Sequence, residues 1–157
     1  TNWLMSKLEI KEYTELTDSV MDLLVLLESK IFDAPLSRET LERELSTRPN
    51  LSILVVAYLE DEPCGYKIRF EYHSDHEYFY SWNGGVVPAH RRNGIARFLM
   101  SRQHEIAKSN GFKFIRTQTK NRYRGMLLLN IEEGLDFTGV YKKLREKHHG
   151  IILEKEL

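Results

Sequence analysis

Only one of the 157 residues is a cysteine, Cys64. A single thiol cannot build an internal disulfide framework or a cysteine-based zinc cluster, and it suits a reducing compartment. Long apolar runs are missing too. None approaches the roughly 20 residues that a membrane span needs, and Thr1 to Ile10 contains no apolar stretch of signal type. These absences lead to the expectation of a cytoplasmic protein. Four prolines (Pro35, Pro49, Pro63 and Pro88) punctuate the chain without forming a linker, and there is no repeat or low-complexity segment. One domain is therefore expected over residues 1–157. An excess of either charge is also lacking: 23 Lys and Arg balance 23 Asp and Glu, which argues against a uniformly basic nucleic-acid binder or a cationic membrane peptide.

What is present is an uneven distribution of that charge. Arg91 to Arg124 holds ten basic residues and one acid, Glu105, a local net charge of +9. Thr1 to His90 has eight bases and sixteen acids, a net −8. An anionic ligand is the expected partner of the middle of the chain, and a cationic one is a candidate for the acidic part.

Periodicity sets out the elements. Lys7 to Tyr13 alternates as a short strand. Val20, Leu23, Leu24, Leu27 and Ile31 recur at helical spacing up to Asp33 and Pro35, and Ser37 can cap a second helix carrying Leu41 and Leu45. Ser52 to Leu59, Gly65 to Tyr72 and Glu77 to Val87 predict an antiparallel meander broken by Asn83, Gly84 and Gly85, where a bulge or a close backbone approach is expected. A helix over about Gly94 to Ser109 leads to a strand at Lys113 to Thr119. Intervening helix and right-handed crossover make that strand parallel to the one ending at Val87. A helix over about Arg122 to Glu133 and strands at Leu135 to Tyr141 and Ile151 to Glu156 complete an α+β fold around a mixed sheet.

Chemistry concentrates in Val86 to Arg97. A strand ends, a basic loop turns, and a helix starts at Gly94, so unpaired N–H groups converge at the positive end of a helix dipole. Gly94 lets a backbone approach a phosphate, Ala96 does not obstruct it, and Arg91, Arg92 and Arg97 add charge. This is no nucleotide P-loop, because the Lys-Ser/Thr pair is absent, and no G-x-G-x-x-G follows a strand. The alternative is a surface helix with solvated arginines. His73 and His76 lie three apart but lack further ligands at metal spacing, so no metal is expected.

The run V-x-P-x-x-R-x-x-G-I-A, with Arg91, Gly94 and Ala96 as its core, resembles motif A of the GNAT (Gcn5-related) N-acetyltransferases. Thr117-x-Thr119-x-Asn121, followed by Met126 to Leu135, resembles motif B of the same family. The resemblance implies a six- to seven-stranded mixed sheet that splays between its fourth and fifth strands, flanked by about four helices, with no metal. It implies acetyl-CoA as co-substrate. Its pyrophosphate would lie on the backbone of Arg92, Asn93, Gly94, Ile95, Ala96 and Arg97, its pantetheine arm along Val86 and Val87, and Asn121 would touch the arm or the phosphates. Asn121 is equally readable as a helix cap before Arg122.

Two residues depart from the pattern. Asn130 stands where motif B often carries a tyrosine that protonates the leaving thiolate, and an amide cannot donate a proton in that sense, although it can hydrogen-bond the sulfur or a water. Leu135 replaces a usual phenylalanine. Acetyl transfer to an amine needs a base, for which Tyr80, Glu71 and Glu77 are candidates, and an oxyanion donor, for which the Val87 N–H is the candidate. Each base candidate also reads as a core aromatic or a solvated acid. Tyr78, Phe79 and Trp82 suit either an acceptor cleft or sheet packing, and Cys64 suits a small core position. The expected activity is direct transfer from acetyl-CoA to a primary amine of a small molecule or peptide. A non-catalytic coenzyme A sensor or interaction module and a nucleic-acid-binding domain are the alternatives. A homodimer through an exposed C-terminal strand is possible.

Overall fold

The computed structural model describes residues 2–46, 54–71, 76–142, 144–145, 147 and 149–157, the side chains of Asn2, Phe70 and Glu71 excepted. A short helix α1 (Asn2–Ser6) precedes β1 (Leu8–Tyr13), α2 (Asp18–Ile31) and α3 (Arg38–Ser46). The meander follows as β2 (Leu54–Leu59), β3 (Glu62–Glu71) and β4 (Tyr78–Val86). A 3-10 turn (Pro88–His90) leads into α4 (Ile95–Ser109), β5 (Phe114–Lys120), α5 (Arg124–Glu132), β6 (Asp136–Tyr141) and β7 (Gly150–Glu156). The predicted order of elements holds, with α1 added. Helix starts are set by local chemistry. Thr17 Oγ1 accepts from the Val20 N–H at the head of α2, and Ser37 Oγ accepts from the Thr40 N–H at the head of α3. The β2–β3 hairpin turns on Glu60 and Asp61, both at positive φ (52° and 68°), as a two-residue turn of the twist-matched type requires.

One sheet holds all seven strands in the order β1-β2-β3-β4-β5-β7-β6. The β4–β5 pair is parallel, and the other pairs are antiparallel. The C-terminal strand β7 therefore lies inside the sheet between β5 and β6, and the exposed edge on that side is β6. This corrects the expectation of a C-terminal edge strand. Hydrogen bonding β7 to β5 is a long antiparallel match from Phe114 to Lys120, which leaves β6 outermost.

Apolar positions decide the layering. Leu24, Leu27 and Ile31 of α2 and Leu41 and Leu45 of α3 cover one face with Val56, Tyr66 and Ile68. Ile95, Leu99 and Ile106 of α4 cover the other with Val55, Ala57 and Val86, and α5 adds Leu127 beside Ile115 and Leu153. Two of the meander glycines serve this packing. A Cβ at Gly85 would stand 2.6 Å from Ile31 Cγ2, and one at Gly84 would stand 2.6 Å from the Tyr66 carbonyl oxygen. The expected close approach is thus real at both. The bulge lies earlier, where Ile68 faces Asn83 but Arg69 faces Ser81, so Trp82 is the extra residue.

Candidate functional site

β4 and β5 stay together for only part of their length. Tyr78 to Ser81 pairs with Phe114 to Thr117, after which β4 continues on β3 alone and β5 on β7 alone. Thr117 Oγ1 donates to the Ser81 carbonyl at 3.0 Å and marks the point of the fork. The bulge at Trp82 begins one residue later, so the strand bends away where the pairing ends. Both helices that follow these parallel strands, α4 and α5, begin at the mouth of the fork. Open α/β sheets bind ligands at such a place, outside the carboxyl ends of parting strands.

Backbone groups of β4 that face the fork follow from the ladder. The Val87 N–H donates to the Cys64 carbonyl at 2.8 Å, across to β3. Alternation then turns the N–H groups of Gly84 and Val86 toward the fork. Val87 is therefore not the oxyanion donor expected from the sequence, because its N–H is already engaged. The Gly84 N–H meets its neighbour's side-chain oxygen, Asn83 Oδ1, at 2.9 Å, and the Val86 carbonyl is taken by Arg91 Nε at 2.9 Å.

At the mouth, Gly94 caps α4 at φ +83°, with no side-chain hydrogen bond to the first helical N–H groups. A Cβ there would have open space around it, so the backbone conformation, not crowding, calls for glycine. The first-turn N–H groups of Ile95, Ala96 and Arg97 remain without intrahelical acceptors. Asn93 Nδ2 donates to the carbonyls of His90 and Arg91, both at 3.3 Å, and ties the turn together.

The three arginines expected to add charge have different fates. Arg91 spans two elements, from the Val86 carbonyl to the Ile31 carbonyl at the end of α2 (Nη2, 3.0 Å), a favourable place for a cation at a helix C-terminus. Arg97 pairs with Glu132 and Glu133 at the end of α5. Arg92 is exposed, at φ +66°. Among the ten bases of the +9 segment, Arg102 pairs with Glu12 and Glu105, Lys113 with Glu77, and Arg116 with Glu154. Of the six that have no ion pair among the described residues, only Lys108 lies at the far end of α4. Arg91 and Arg92 precede α4, Lys120 ends β5, and Arg122 and Arg124 begin α5. The cationic segment is thereby narrowed to the mouth of the fork.

Asn121 also sits at that mouth, half-buried, with its N–H donating to the His149 carbonyl at 2.8 Å. It does not cap α5, whose N-cap is Tyr123. Tyr80 is 7 % exposed and projects from the face of β4 opposite to Ser81. Glu71 ends β3 opposite Phe79, and its carboxylate lies outside the described residues. Glu77 is bound to Lys113 at 2.8 Å at the closed end of the β4–β5 pair, away from the fork, which removes it as a base candidate. His73 lies outside the described residues and His76 is exposed; among the described residues no three potential metal ligands cluster.

Two polar groups flank the fork that sequence reasoning missed. On the α2 face, Glu28 is 1 % exposed and accepts from the Tyr66 hydroxyl (2.5 Å), Asn83 Nδ2 (2.8 Å) and the Leu36 N–H (3.1 Å). Burial, then the Glu28 carboxylate, push the Tyr66 phenol well above its ordinary value and keep it a donor. On the α4 face, Ser81 Oγ donates to Gln103 Oε1 at 2.8 Å, beside Lys67, His104 and Asn130. The available signal was a polar residue at an apolar helical position: Glu28 lies four after Leu24, and Gln103 four after Leu99.

A fork in the sheet with the Val86 N–H turned into it, a helix N-terminus at its mouth and cations there without ion pairs among the described residues can take an extended arm ending in phosphates. The model of the acetyltransferase (GNAT) family matches residues 17–125. No curated protein sequence matches the chain. Among solved structures, the ribosomal-protein-S18-alanine N-acetyltransferase of Escherichia coli superimposes with a TM-score of 0.77 at 13 % identity, covering 94 % of each chain. A GNAT family acetyltransferase from Elizabethkingia anophelis with acetyl-CoA bound does so with a TM-score of 0.74 at 22 % identity, over 96 % of this chain and 99 % of that one. An acetyltransferase of Bacillus subtilis in complex with CoA gives 0.71 at 20 % identity over the same shares. With the parallel pair parting at Ser81 and the family match spanning that fork, the chain belongs to the GNAT acetyltransferase family.

Proposed function

We propose that this protein is a single acetyltransferase domain over residues 1–157 that transfers the acetyl group of acetyl-CoA directly to a primary amine of a small molecule or peptide. The observation that carries this reading is the fork itself, with the uncapped start of α4 and, at its mouth, five cations that have no ion pair among the described residues. Coenzyme A carries phosphates at one end and a thioester at the other, and the fork offers charge outside and backbone N–H groups inside. N–H groups from Arg92 to Arg97 hold the pyrophosphate; Arg92, Arg122 and Arg124 supply charge around it, and Asn121 lies beside it. The pantetheine arm runs along the β4 edge at Val86 and Val87.

An amine with a pKa of about 10.4 arrives protonated and must lose a proton before attack. Tyr80 and Glu71 are the candidate bases. Carbonyl oxygen charge is taken by the fork-facing N–H of Val86 on β4. The single cysteine, buried and reduced, is compatible with the cytoplasm, and no helix among the described residues is long and apolar enough to cross a membrane.

Calorimetry with acetyl-CoA, followed by thiol release across a panel of polyamines, lysine derivatives and peptide N-termini, tests the reading. Micromolar binding with thiol release for at least one amine is expected. Binding without turnover for any amine would replace it with a coenzyme A sensor or interaction module. RNA binding that acetyl-CoA does not compete away would replace it with a nucleic-acid function.

A further inference from the structure

Lys67 is a lysine on an inner strand, 8 % exposed, with no hydrogen-bond acceptor or carboxylate at its Nζ among the described residues. It leaves β3 on the α4 face, where its cross-strand partner on β4 is Gly84. A Cβ at Gly84 would stand 2.8 Å from Lys67 Cγ. Glycine there lets the lysine stem lie beneath β4 and run to the fork. At the fork it lines a narrow gap with Ser81, Gln103, His104, Thr117 and Asn130.

Besides Lys67, that gap holds one unspent side-chain donor among the described residues. Gln103 is 1 % exposed and its Nε2 has no acceptor, while Asn130, 2 % exposed, turns its amide to the Met126 carbonyl. Ser81 and Thr117 spend their hydroxyl protons on Gln103 and the Ser81 carbonyl. The gap is too tight for a water molecule. A buried ammonium beside an unspent donor is costly unless an anion is formed next to it.

We propose that Lys67 is the proton donor to the leaving sulfur of acetyl-CoA. This rests on the acetyl-CoA reading above. When the acceptor nitrogen bonds to the acetyl carbon and the C–S bond breaks, the electron pair stays on sulfur. Lys67 Nζ passes it a proton, giving free thiol and a neutral amine. The proton lost by the acceptor nitrogen goes to solvent, and Lys67 is recharged through the 8 % of its surface that stays exposed outside the gap. Asn130, at the place where the resemblance implies a tyrosine acid, has no such proton to give.

Burial pushes the Lys67 ammonium down to about 8, close to a free thiol at about 8.5, the matching that proton transfer favours. Among the described residues, His104 of α4 is the other titratable group lining the gap. Burial, then Lys155 of β7 and Lys67, push it down to about 4, so it stays neutral near pH 7. Arg69, two residues along the same face of β3, stacks over Phe79 and Phe112 at 4.6 and 4.9 Å.

The test is the thiolate absorbance of coenzyme A bound to the whole protein, titrated with pH. It needs no known acceptor. The protein's one thiol, Cys64, is pushed up to about 11 by burial and stays silent. In the wild type the bound thiol titrates roughly a unit below its free value of about 8.5, because the ammonium favours the thiolate. Lys67→Met returns it to the free value or above, with the acetyl-CoA dissociation constant within about threefold and an unchanged circular dichroism spectrum. With any amine that serves as acceptor, the same variant loses roughly a hundredfold in kcat with little change in KM. A wild-type thiol that titrates at or above the free value overturns the proposal without any variant, as does an identical titration in Lys67→Met. If neither protein binds coenzyme A, the acetyl-CoA reading itself fails and takes this proposal with it, whereas binding with an unmoved thiol removes Lys67 alone.

Discussion

His104 shows how one side chain carries a pH dependence that its type alone does not reveal. Burial is the main reason its imidazole is held down at about 4 in the fold, against 6.5 as its ordinary value. Between these values the unfolded chain binds the proton that the folded chain refuses, so stability is complete above about pH 6.5 and falls as the pH drops toward 4. Urea unfolding at about pH 5 is expected to show roughly 2 kcal/mol less stability than at about pH 7 from this group. His104→Gln removes that component, and an unchanged pH slope in the variant would refute the assignment. At this scale the sequence was least informative. Glu28, Lys67 and Gln103 are polar letters in apolar runs, and only the packed neighbours show that each is buried at the fork.

Elements were far more legible. Helical spacing in α2, the Ser37 cap, the strand-turn-helix at Gly94 and the parallel crossover to β5 all follow from period and turn chemistry. What the pattern misplaced were details set by contact between elements: the bulge at Trp82, the N-cap at Tyr123 and the edge position of β6. The two glycine types here make different predictions. Gly85→Ala drives a Cβ to 2.6 Å from Ile31 at the end of α2, the same turn that Arg91 holds through the Ile31 carbonyl. It is expected to cost about 1–3 kcal/mol in thermal or urea unfolding and, by shifting Arg91, to weaken acetyl-CoA binding. Gly94→Ala meets no protein atom; its stability cost is that of the left-handed backbone, about 1–2 kcal/mol, and its Cβ weakens acetyl-CoA binding directly at the phosphate cradle. Wild-type stability in Gly85→Ala would show that crowding at α2 is not what Gly85 relieves.

For the whole molecule, the balance of charge conceals where the cations are free. Among the described residues, acids from β1, α4, α5 and β7, together with Glu77 just before β4, neutralise four of the ten central bases, and five of the remaining six gather at one end of the sheet. Acetyl-CoA affinity should therefore depend on ionic strength. Arg122→Glu is expected to raise the dissociation constant about tenfold in low salt, with the difference shrinking near 1 M salt, where charges are screened beyond about 3 Å. Lys108→Glu, at the far end of α4, is expected to leave it unchanged. Equal effects of the two reversals, measured by calorimetry, would mean that the mouth of the fork has no special field.

The order of elements, the mixed sheet, the anion-directed start of α4 and the family resemblance were determined by the sequence itself, because period, capping and turn preferences act between near neighbours. The tertiary structure alone decided which basic residues stay unpaired, which N–H groups of β4 face the fork, and that Lys67 reaches it beneath Gly84. Those outcomes depend on residues far apart in the chain meeting across the sheet, where burial and the partner at hand, rather than residue type, set what each group can do.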